Sequence, residues 1–359
     1  MDHYYWFALK SVPQVGNVTF LRLLSHFGSP EQVLKASVSE LSSVKGVSAA
    51  AARSIAEHDF RAWAEAECER VHSSGVQVVD ILSHRYPRLL MQIADPPPFF
   101  YLMGALEGSE TAVAMVGSRH ASQYGLCTAT RLAKELAGQG VTVISGMARG
   151  IDTASHWGCL KAEGRSVAVL GCGVDVIYPP ENDTLYRTLC EGGALISEFP
   201  MGTSPLPENF PRRNRIISAL ALGVVVVEAG EGSGSLITAQ YALEQGREVF
   251  AVPGNVTTSG SRGVNGLIKQ GAKLVERVED ILEELAIEPL ATHPLEQPRS
   301  FPLTPQEAEL YALLCQGVLQ IDDIIVQSAL TASEVSATLL RLEMKGIITQ
   351  LPGKRFVVV

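Results

Sequence analysis

An arginine cluster is the strongest chemical signal in the sequence. It comprises Arg212, Arg213 and Arg215, with Asn214 among them, and it precedes an apolar run that we predict to be a buried helix over 214–222. Cations at a helix N-terminus are unfavourable unless an anion compensates them. Because the whole chain carries a net charge of −9, this local concentration predicts a polyanionic ligand such as a phosphate backbone. Solvated charge at the start of a helix is the alternative interpretation.

Two phenylalanine side chains flank the cluster. Phe210 comes shortly before Arg212, and Phe199 lies further upstream. Aromatic rings beside a cationic surface are typical platforms on which the bases of a single strand stack. Each ring could instead belong to the hydrophobic core, so base stacking on either of them is a hypothesis.

Glycine-rich segments follow several of the predicted strands. Glycine permits the close backbone approach that a phosphate needs, and the N-terminus of a following helix supplies free N–H donors. In an open parallel sheet such loops meet outside the carboxyl ends of the strands, which predicts one anion site there. Tight turns also need glycine, so no single loop carries this interpretation without the arginines. The loop residues assigned to the site are Gly117, Ser118, Arg119, Arg149, Gly232, Ser233, Gly234 and Ser235.

Signatures of common enzymes are missing from the sequence. It contains no phosphate-binding G-x-x-x-x-G-K-[ST], no strict G-x-G-x-x-G after a strand, no G-x-S-x-G and no H-E-x-x-H. Asp152 and His156 share one face of a predicted helix and could bind a metal or act as an acid–base pair. A helix-capping aspartate beside a packed histidine is the alternative. We therefore predict a binding protein without cofactor or metal, rather than an enzyme.

Strands and helices that alternate from about residue 76 must position these loops. Alternation of this kind predicts βαβ units, and here an α/β domain over 76–285 with an extended Rossmann-like, doubly wound, mostly parallel sheet. The valine run at 224–227 is typical of a strand buried on both faces. The predicted strands are 76–79, 112–116, 141–145, 166–170, 194–197, 224–227, 248–252 and 273–275. The predicted helices between them are 122–139, 152–163, 214–222 and 235–245.

Smaller regions flank this domain. Residues 1–75 predict a helical domain of the helix-hairpin-helix or SAM-like kind, which could hold a DNA phosphate or serve only for packing. Prolines predict a linker over 286–302. Residues 303–359 predict three helices and a final hairpin, the pattern of a winged helix.

Composition and cysteine usage place the chain in the cytoplasm. Its six cysteines include no C-x-x-C pair, which favours a reducing compartment over a disulfide framework. The N-terminal residues lack the basic and apolar segments of a signal peptide, and the longest apolar run is too short to span a bilayer.

Several ordered phrases resemble the DNA processing protein A family, known as DprA or Smf. The resemblance covers the full length of the chain in the order helical domain, Rossmann-like domain, winged helix. The phrases are Tyr86-Pro87, Asp95-Pro96-Pro97, Gly117-Ser118-Arg119, the run from Ser145 to Asp152 with His156, the run from Leu170 to Asp175 with Tyr178-Pro179, Ser197-Glu198, the run from Pro211 to Ile217, the run from Gly232 to Ser235, Pro253-Gly254-Asn255 and the run from Gly263 to Ile268.

This resemblance implies a protein that binds incoming single-stranded DNA in natural transformation, protects it and helps to load the RecA recombinase. It also implies a homodimer formed through the Rossmann-like domain. In the family the Gly-Ser-Arg loop and the Arg-Asn-Arg stretch contact DNA, which implicates Gly117 to Arg119 and Arg212 to Arg215 here.

Two other functions remain open. A phosphoribohydrolase-like enzyme that processes nucleotides is one, because such enzymes share this fold and carry a glycine-rich loop that leads to a catalytic glutamate. Here the loop from Gly230 to Ser235 is followed by no glutamate before Glu244. An adaptor that acts only through protein contacts is the other, and it would leave the arginine cluster unexplained.

Overall fold

The computed structural model describes residues 3–288, 303–314, 319–351 and 353–358. The chain divides into two units, Met1–Leu290 and Ala291–Val359. From residue 289 onward, the linker predicted at 286–302 lies outside the described residues. No helix in the described segments is long and apolar enough to cross a membrane.

Six helices build the N-terminal part of the first unit. The last two of them are separate helices, because the backbone is extended at His58, where the first of these two ends. Serine side chains at positions 29, 37 and 48 cap three of the helices by accepting backbone N–H groups. The helices are α1 (Tyr4–Ser11), α2 (Asn17–Phe27), α3 (Pro30–Lys35), α4 (Val38–Ser43), α5 (Ala49–Glu57) and α6 (Arg61–Ser73).

A sheet with nine strands within residues 3–288 follows the helices. Its strands are β1 (Gln77–Asp80), β2 (Phe99–Gly104), β3 (Ala112–Val116), β4 (Thr142–Ser145), β5 (Ser166–Val169), β6 (Ala194–Ser197), β7 (Gly223–Val226), β8 (Glu248–Ala251) and β9 (Lys273–Leu274). Their spatial order is β1-β2-β6-β5-β4-β3-β7-β8-β9. The strands from β6 to β9 in this order are parallel neighbours, whereas β2 pairs antiparallel with both β1 and β6. The predicted mostly parallel, Rossmann-like sheet is confirmed, and β2 is a strand that we did not predict.

Helices cover both faces of the sheet. Alternate residues of β3 point to opposite faces, so Val113 shares a core with the helices at 123–138 and 151–161, whereas Ala114 shares one with the helices at 209–219 and 234–244. The helices are α7 (Arg88–Met91), α8 (Gln123–Gly138), α9 (Ile151–Lys161), α10 (Asp183–Gly192), α11 (Asn209–Ala219), α12 (Gly234–Glu244), α13 (Arg262–Lys269) and α14 (Glu279–Glu284), with single 3-10 turns at Pro180–Asn182 and Ser259–Ser261.

The strand order places a crevice in the middle of the sheet. From β3 the chain moves outward through β4 and β5 to β6, and it then returns to β7 on the other side of β3. The loops that leave β3 and β7 therefore run to opposite faces. In α/β sheets, ligands bind at such a switch point, outside the carboxyl ends of the strands.

The N-terminal helices share a core with the sheet. The Phe7 ring centroid lies 5.4 Å from that of Phe99 and 5.9 Å from that of Tyr101, and both partners belong to β2. Glu67 of α6 is fully buried and accepts hydrogen bonds from the Tyr101 hydroxyl at 2.7 Å and the Met201 N–H at 2.8 Å. This carboxylate joins the helical part to the segment that leads from β6 to α11.

The second unit is a winged helix, as predicted. It contains α15 (Pro305–Leu314), β10 (Leu319–Gln320), α16 (Ile321–Gln327), α17 (Ala332–Met344), β11 (Ile348–Leu351) and β12 (Arg355–Val358). The three strands of this unit's described part pair in the order β10-β12-β11. Thr331 and Glu334 form a capping box at the start of α17.

Candidate nucleic-acid interface

A cleft of about 780 Å³ opens at the switch point of the sheet. One wall is the β3–α8 loop with Gly117, Ser118 and Arg119, and the opposite wall is the β7–α12 loop from Gly230 to Ser235. The first turns of α11 form the floor, with Phe210, Arg213 and Asn214. Segments that are distant in the sequence therefore meet where the glycine-rich loops predicted an anion site.

Helix α11 begins at Asn209, five residues before the predicted start at Asn214. The prediction placed Arg212 and Arg213 ahead of the helix, and this placement is wrong. Pro211 is compatible with the first turn of a helix, where its missing N–H would have no partner within the helix. The arginines consequently lie on successive positions of a helix and point in different directions.

Arg213 points inward beneath the cleft. Its guanidinium donates to the carbonyl oxygen of Gly146 at 2.8 Å and to that of Val169. Burial lowers the pKa of Arg213 to about 10, while the carboxylate of Asp152 opposes this change. The side chain is therefore charged at neutral pH, and it braces the ends of β4 and β5.

Asp152 is the buried counter-charge of Arg213. Its carboxylate accepts the N–H groups of Gly146 at 3.1 Å and Ala148 at 3.3 Å. Burial raises the pKa of Asp152 to about 6, and the Arg213 guanidinium and these N–H groups limit the rise. The carboxylate thus fixes the β4–α9 loop.

His156 does not face the Asp152 carboxylate as a catalytic partner would. Its Nδ1 lies 2.7 Å from the Ser166 hydroxyl, and burial lowers the pKa of the ring to about 3. The described residues contain no group of three or more histidine, cysteine or acidic side chains that could hold a metal. His156 is thus packed, as in the alternative interpretation, but Asp152 holds the β4–α9 loop and does not cap the helix, whose N-cap is Gly150.

Arg215 is engaged by two carboxylates. Its guanidinium contacts Glu198, and its Nε lies 3.2 Å from Asp95. The same side chain donates to the Asp95 carbonyl oxygen at 3.0 Å. Arg215 is buried, so in this state it ties α11 to the loop before β2 and does not face the cleft.

Arg119, Arg212 and Arg262 are the exposed cations around the cleft. Arg119 and Arg262 line it from opposite sides, and Arg212 lies on the outer side of α11. Within residues 3–288 none of the three forms an ion pair with a carboxylate. Arg262 was not predicted, because it is isolated in the sequence and comes close only through the packing of α13.

Aromatic rings support two of these cations. The Arg119 guanidinium lies 5.1 Å from the centroid of the half-buried Phe210 ring, and that of Arg212 lies 5.6 Å from the buried Phe199 ring. Tyr178 packs 5.5 Å from Phe210 and lines the same cleft. Gly171 permits this arrangement, since a Cβ at that position would lie 2.8 Å from the Phe210 ring.

The β7–α12 loop presents backbone and hydroxyl groups to the cleft. The Ser233 side chain caps α12, and its hydroxyl lies 2.7 Å from that of Ser235. Asn214 donates to the Gly234 carbonyl oxygen at 3.3 Å, which joins α11 to this loop. Gly232 and Gly234 are exposed, and a Cβ at either would meet open space. Glu231 also lines the cleft and is the one acidic group of this loop's exposed part.

Arg149 lies beside the cleft and not inside it. Its guanidinium forms an exposed ion pair with Glu181, at 2.7 Å between Nη2 and Oε1. This contact raises the pKa of Arg149. Since exposed ion pairs contribute little stability, Arg149 can exchange this partner for another anion.

Comparison with known protein families agrees with this architecture. The model of the DNA recombination-mediator protein A family matches residues 77–286, which include every strand of the large sheet. The chain belongs to this family. Models of the DprA winged helix domain and of the SAM-like helix-hairpin-helix tandem match residues 294–354 and 8–58.

Individual family members resemble the chain over most of its length. Protein Smf of Synechocystis is 33% identical over 98% of both chains. The X-ray structure of DNA processing protein A from Streptococcus pneumoniae is 33% identical, covers 79% of this chain and 98% of its own, and gives a TM-score of 0.70. DNA processing protein A from Helicobacter pylori, described by its single-stranded DNA binding mode, is 26% identical over 59% of this chain and 95% of its own, with a TM-score of 0.53.

Proposed function

We propose that the cleft binds single-stranded DNA. The observation that carries this proposal is a set of three exposed arginines without carboxylate partners in the described part of a chain with a net charge of −9. Arg119 and Arg262 line the cleft, and Arg212 lies beside it on the outer side of α11. Unpaired cations concentrated on one edge of an acidic protein require a counter-anion, and a polyphosphate backbone supplies several at once.

The cleft matches a single strand in shape as well as charge. Phosphates can contact the arginines and the backbone N–H groups of the exposed Gly232 and Gly234, while a base stacks on the accessible side of Phe210 or Tyr178. A duplex conceals the faces of its bases, so it cannot use these rings. In this arrangement the buried Arg213 and Arg215 hold α11 and its neighbouring segments in place. Gly117, Ser118 and Asn214 line the cleft itself.

The proposed cellular role follows that of the family. The relatives are named for DNA processing, and the one from Helicobacter pylori binds single-stranded DNA. We propose that this chain likewise protects incoming DNA in the cytoplasm during natural transformation, helps to load RecA, and acts as a homodimer formed through the Rossmann-like domain.

We further propose that the cleft binds without catalysis. Asp152 is buried, and its carboxylate accepts the N–H groups of Gly146 and Ala148. Glu231 is the one carboxylate in the lining of the cleft's glycine- and serine-rich loop, so neither group has a partner for acid–base catalysis. A phosphoribohydrolase-like activity would instead release ribose phosphate from nucleotides. Incubation of the purified protein with nucleoside monophosphates, followed by an assay for ribose phosphate, distinguishes the two functions.

Single-stranded DNA is expected to bind more tightly than duplex of the same length, with little dependence on sequence. The physical reason is that only a single strand offers both phosphates and base faces to the cleft. The measurement is fluorescence anisotropy with a labelled single strand and unlabelled duplex as competitor. Equal or better competition by a blunt duplex would contradict the proposal.

Removal of residues 303–359 is expected to change the Kd for single-stranded DNA by less than about tenfold, or ~1.4 kcal/mol. This segment contains four basic and six acidic residues, which gives a net charge of −2. In addition, Lys345 is paired with the buried Glu307 at 2.8 Å, and α17 exposes Leu340 and Met344 on its outer surface.

The truncated protein is first checked for its fold by circular dichroism and for its oligomeric state by light scattering. If the truncated protein passes both checks and still loses a hundredfold or more in affinity, the winged helix is a principal DNA-binding element and the division proposed here is wrong.

A further inference from the structure

A second groove lies on the far side of Arg119 from the cleft. It has a volume of about 640 Å³ and runs between α8 and α9, where Leu126 and Thr130 of α8 face Ala154 and Trp157 of α9. The β7–α12 loop, which forms the opposite wall of the cleft, contributes nothing to the lining of this groove. Neither the arginine cluster nor the family resemblance pointed to this surface.

The chemistry of this groove is that of a nucleic-acid surface. Arg119, His120 and Lys161 contribute cationic or protonatable groups, and Trp157 contributes a large, half-buried ring. None of the described residues that line the groove carries a carboxylate. In a chain with 38 acidic and 29 basic residues, a groove with this composition has a local charge opposite to that of the whole protein.

Arg119 connects the groove to the cleft, because it lines both. The β3–α8 loop that carries Arg119 crosses directly over the β4–α9 loop at Gly150, which has a φ of +74°. A Cβ at Gly150 would lie 2.3 Å from the Ser118 carbonyl oxygen, so only glycine permits this close crossing. The Ile151 N–H donates to the same Ser118 carbonyl oxygen at 3.2 Å, so the crossing fixes the backbone next to Arg119.

We infer that a single strand bound in the cleft continues past Arg119 into the groove between α8 and α9. There a base stacks on Trp157, and Lys161 contacts a phosphate. This inference rests on the proposed function of the cleft and adds a second segment to the DNA path. The groove accordingly contributes only when the strand is long enough to reach it.

Oligothymidylates of two lengths test the inference. An oligomer of about 5 nucleotides fills the cleft, and one of about 15 nucleotides also reaches the groove, since single-strand sites of one domain span roughly 4–16 nucleotides. Trp157→Leu is expected to weaken binding of the long oligomer about tenfold, and Lys161→Gln about threefold. Neither substitution should change the affinity for the short oligomer. Lys161→Gln should also flatten the salt dependence for the long oligomer by about 0.7.

Two matched variants serve as controls. Trp157→Phe retains a ring and should restore most of the affinity for the long oligomer. Lys134→Gln removes an exposed lysine of α8 that does not line the groove, and it should bind both oligomers like the unchanged protein.

The outcomes separate the two proposals. Failure of the unchanged protein to bind the short oligomer would contradict the proposed function of the cleft. Normal binding of the short oligomer, with no selective loss for the long one in Lys161→Gln and Trp157→Leu, would overturn the inference about the groove. If Trp157→Leu weakens binding of both lengths equally, Lys161→Gln decides the outcome, because it changes only an exposed side chain. A selective loss for the long oligomer in Lys161→Gln would then uphold the inference, and no selective loss would overturn it.

Discussion

Replacing Arg213 with methionine is expected to lower the free energy of unfolding by about 3–5 kcal/mol at neutral pH. Methionine fills a similar volume but leaves the buried carboxylate of Asp152 without its cation. It also removes the donors to the carbonyl oxygens of Gly146 and Val169. These groups fix the ends of β4 and β5 beneath the cleft. The substitution therefore destabilises the part of the sheet that positions the loops of the cleft.

The effect of this substitution should depend on pH. The pKa of Asp152 in the folded protein, about 6, lies above its ordinary value of 3.8. Ionisation of Asp152 therefore costs stability as the pH rises through the folded-state pKa, and this cost is absent below the unfolded-state value. Without Arg213 the pKa of Asp152 rises further. The destabilisation by Arg213→Met should thus be largest at about pH 8 and smaller at about pH 5.

Urea unfolding of both proteins at the two pH values measures this difference. The double variant Asp152→Asn with Arg213→Met should recover part of the lost stability at the higher pH, since it contains no unpaired buried charge. Arg187→Gln is a matched control, because Arg187 forms an exposed ion pair with Asp183 that is worth at most about 1 kcal/mol. A loss for Arg213→Met that is no larger than that of Arg187→Gln, or that is greatest at the lower pH, would refute this account.

Simultaneous replacement of Arg119, Arg212 and Arg262 by glutamine is expected to weaken binding of single-stranded DNA about a thousandfold. Each exposed arginine that meets a phosphate is assigned about a tenfold effect, or ~1.4 kcal/mol. If four phosphates are neutralised, log K should fall with log salt at a slope of about −3, and each replacement should reduce the magnitude of that slope by about 0.7. The stability of the protein should change little, since none of the three guanidinium groups is paired with a carboxylate in the described structure.

Titrations at several salt concentrations, with single and triple variants, provide the measurement. Glu231→Gln is a control that should change the affinity in the opposite direction. This exposed carboxylate lines the same cleft, so its removal should strengthen binding of single-stranded DNA. Arg262 deserves separate measurement, since sequence inspection did not assign it. A triple variant that keeps the original affinity and slope would place the DNA on another surface.

The parallel part of the sheet could be predicted from the sequence, whereas one of its antiparallel strands could not. Valine-rich runs such as 224–227 are buried on both faces, and this environment leaves an unambiguous pattern. Strand β2, Phe99–Gly104, directly follows three prolines at 96–98, which are typical of a loop. Two of its aromatic residues, Phe99 and Tyr101, pack with the N-terminal helices, whereas Phe100 lies on the other face. One of its partners, β6, is distant in the sequence, so the local composition gave no indication of that pairing.

The candidate site was predictable in its chemistry but not in the direction of its side chains. The cluster at 212–215 indicated an anion site, yet only the start of α11 at Asn209 determines that Arg213 and Arg215 point inward while Arg212 remains exposed. The carboxylates that interact with them, Asp152 with Arg213 and Glu198 and Asp95 with Arg215, come from three other segments. No local pattern reveals such partners, because only the folded sheet brings them together.

The shared core around Glu67 limits which parts of the chain can be removed or exchanged without exposing apolar surface. The helix-hairpin-helix and recombination-mediator models meet between residues 58 and 77, but Phe7, Phe99 and Tyr101 pack together across that junction. Loss of the helices by recombination would leave β2 and the Met201 N–H uncovered, whereas the second unit has a core of its own. Removal of the helical part would therefore expose apolar surface of β2, whereas the winged helix keeps a core of its own.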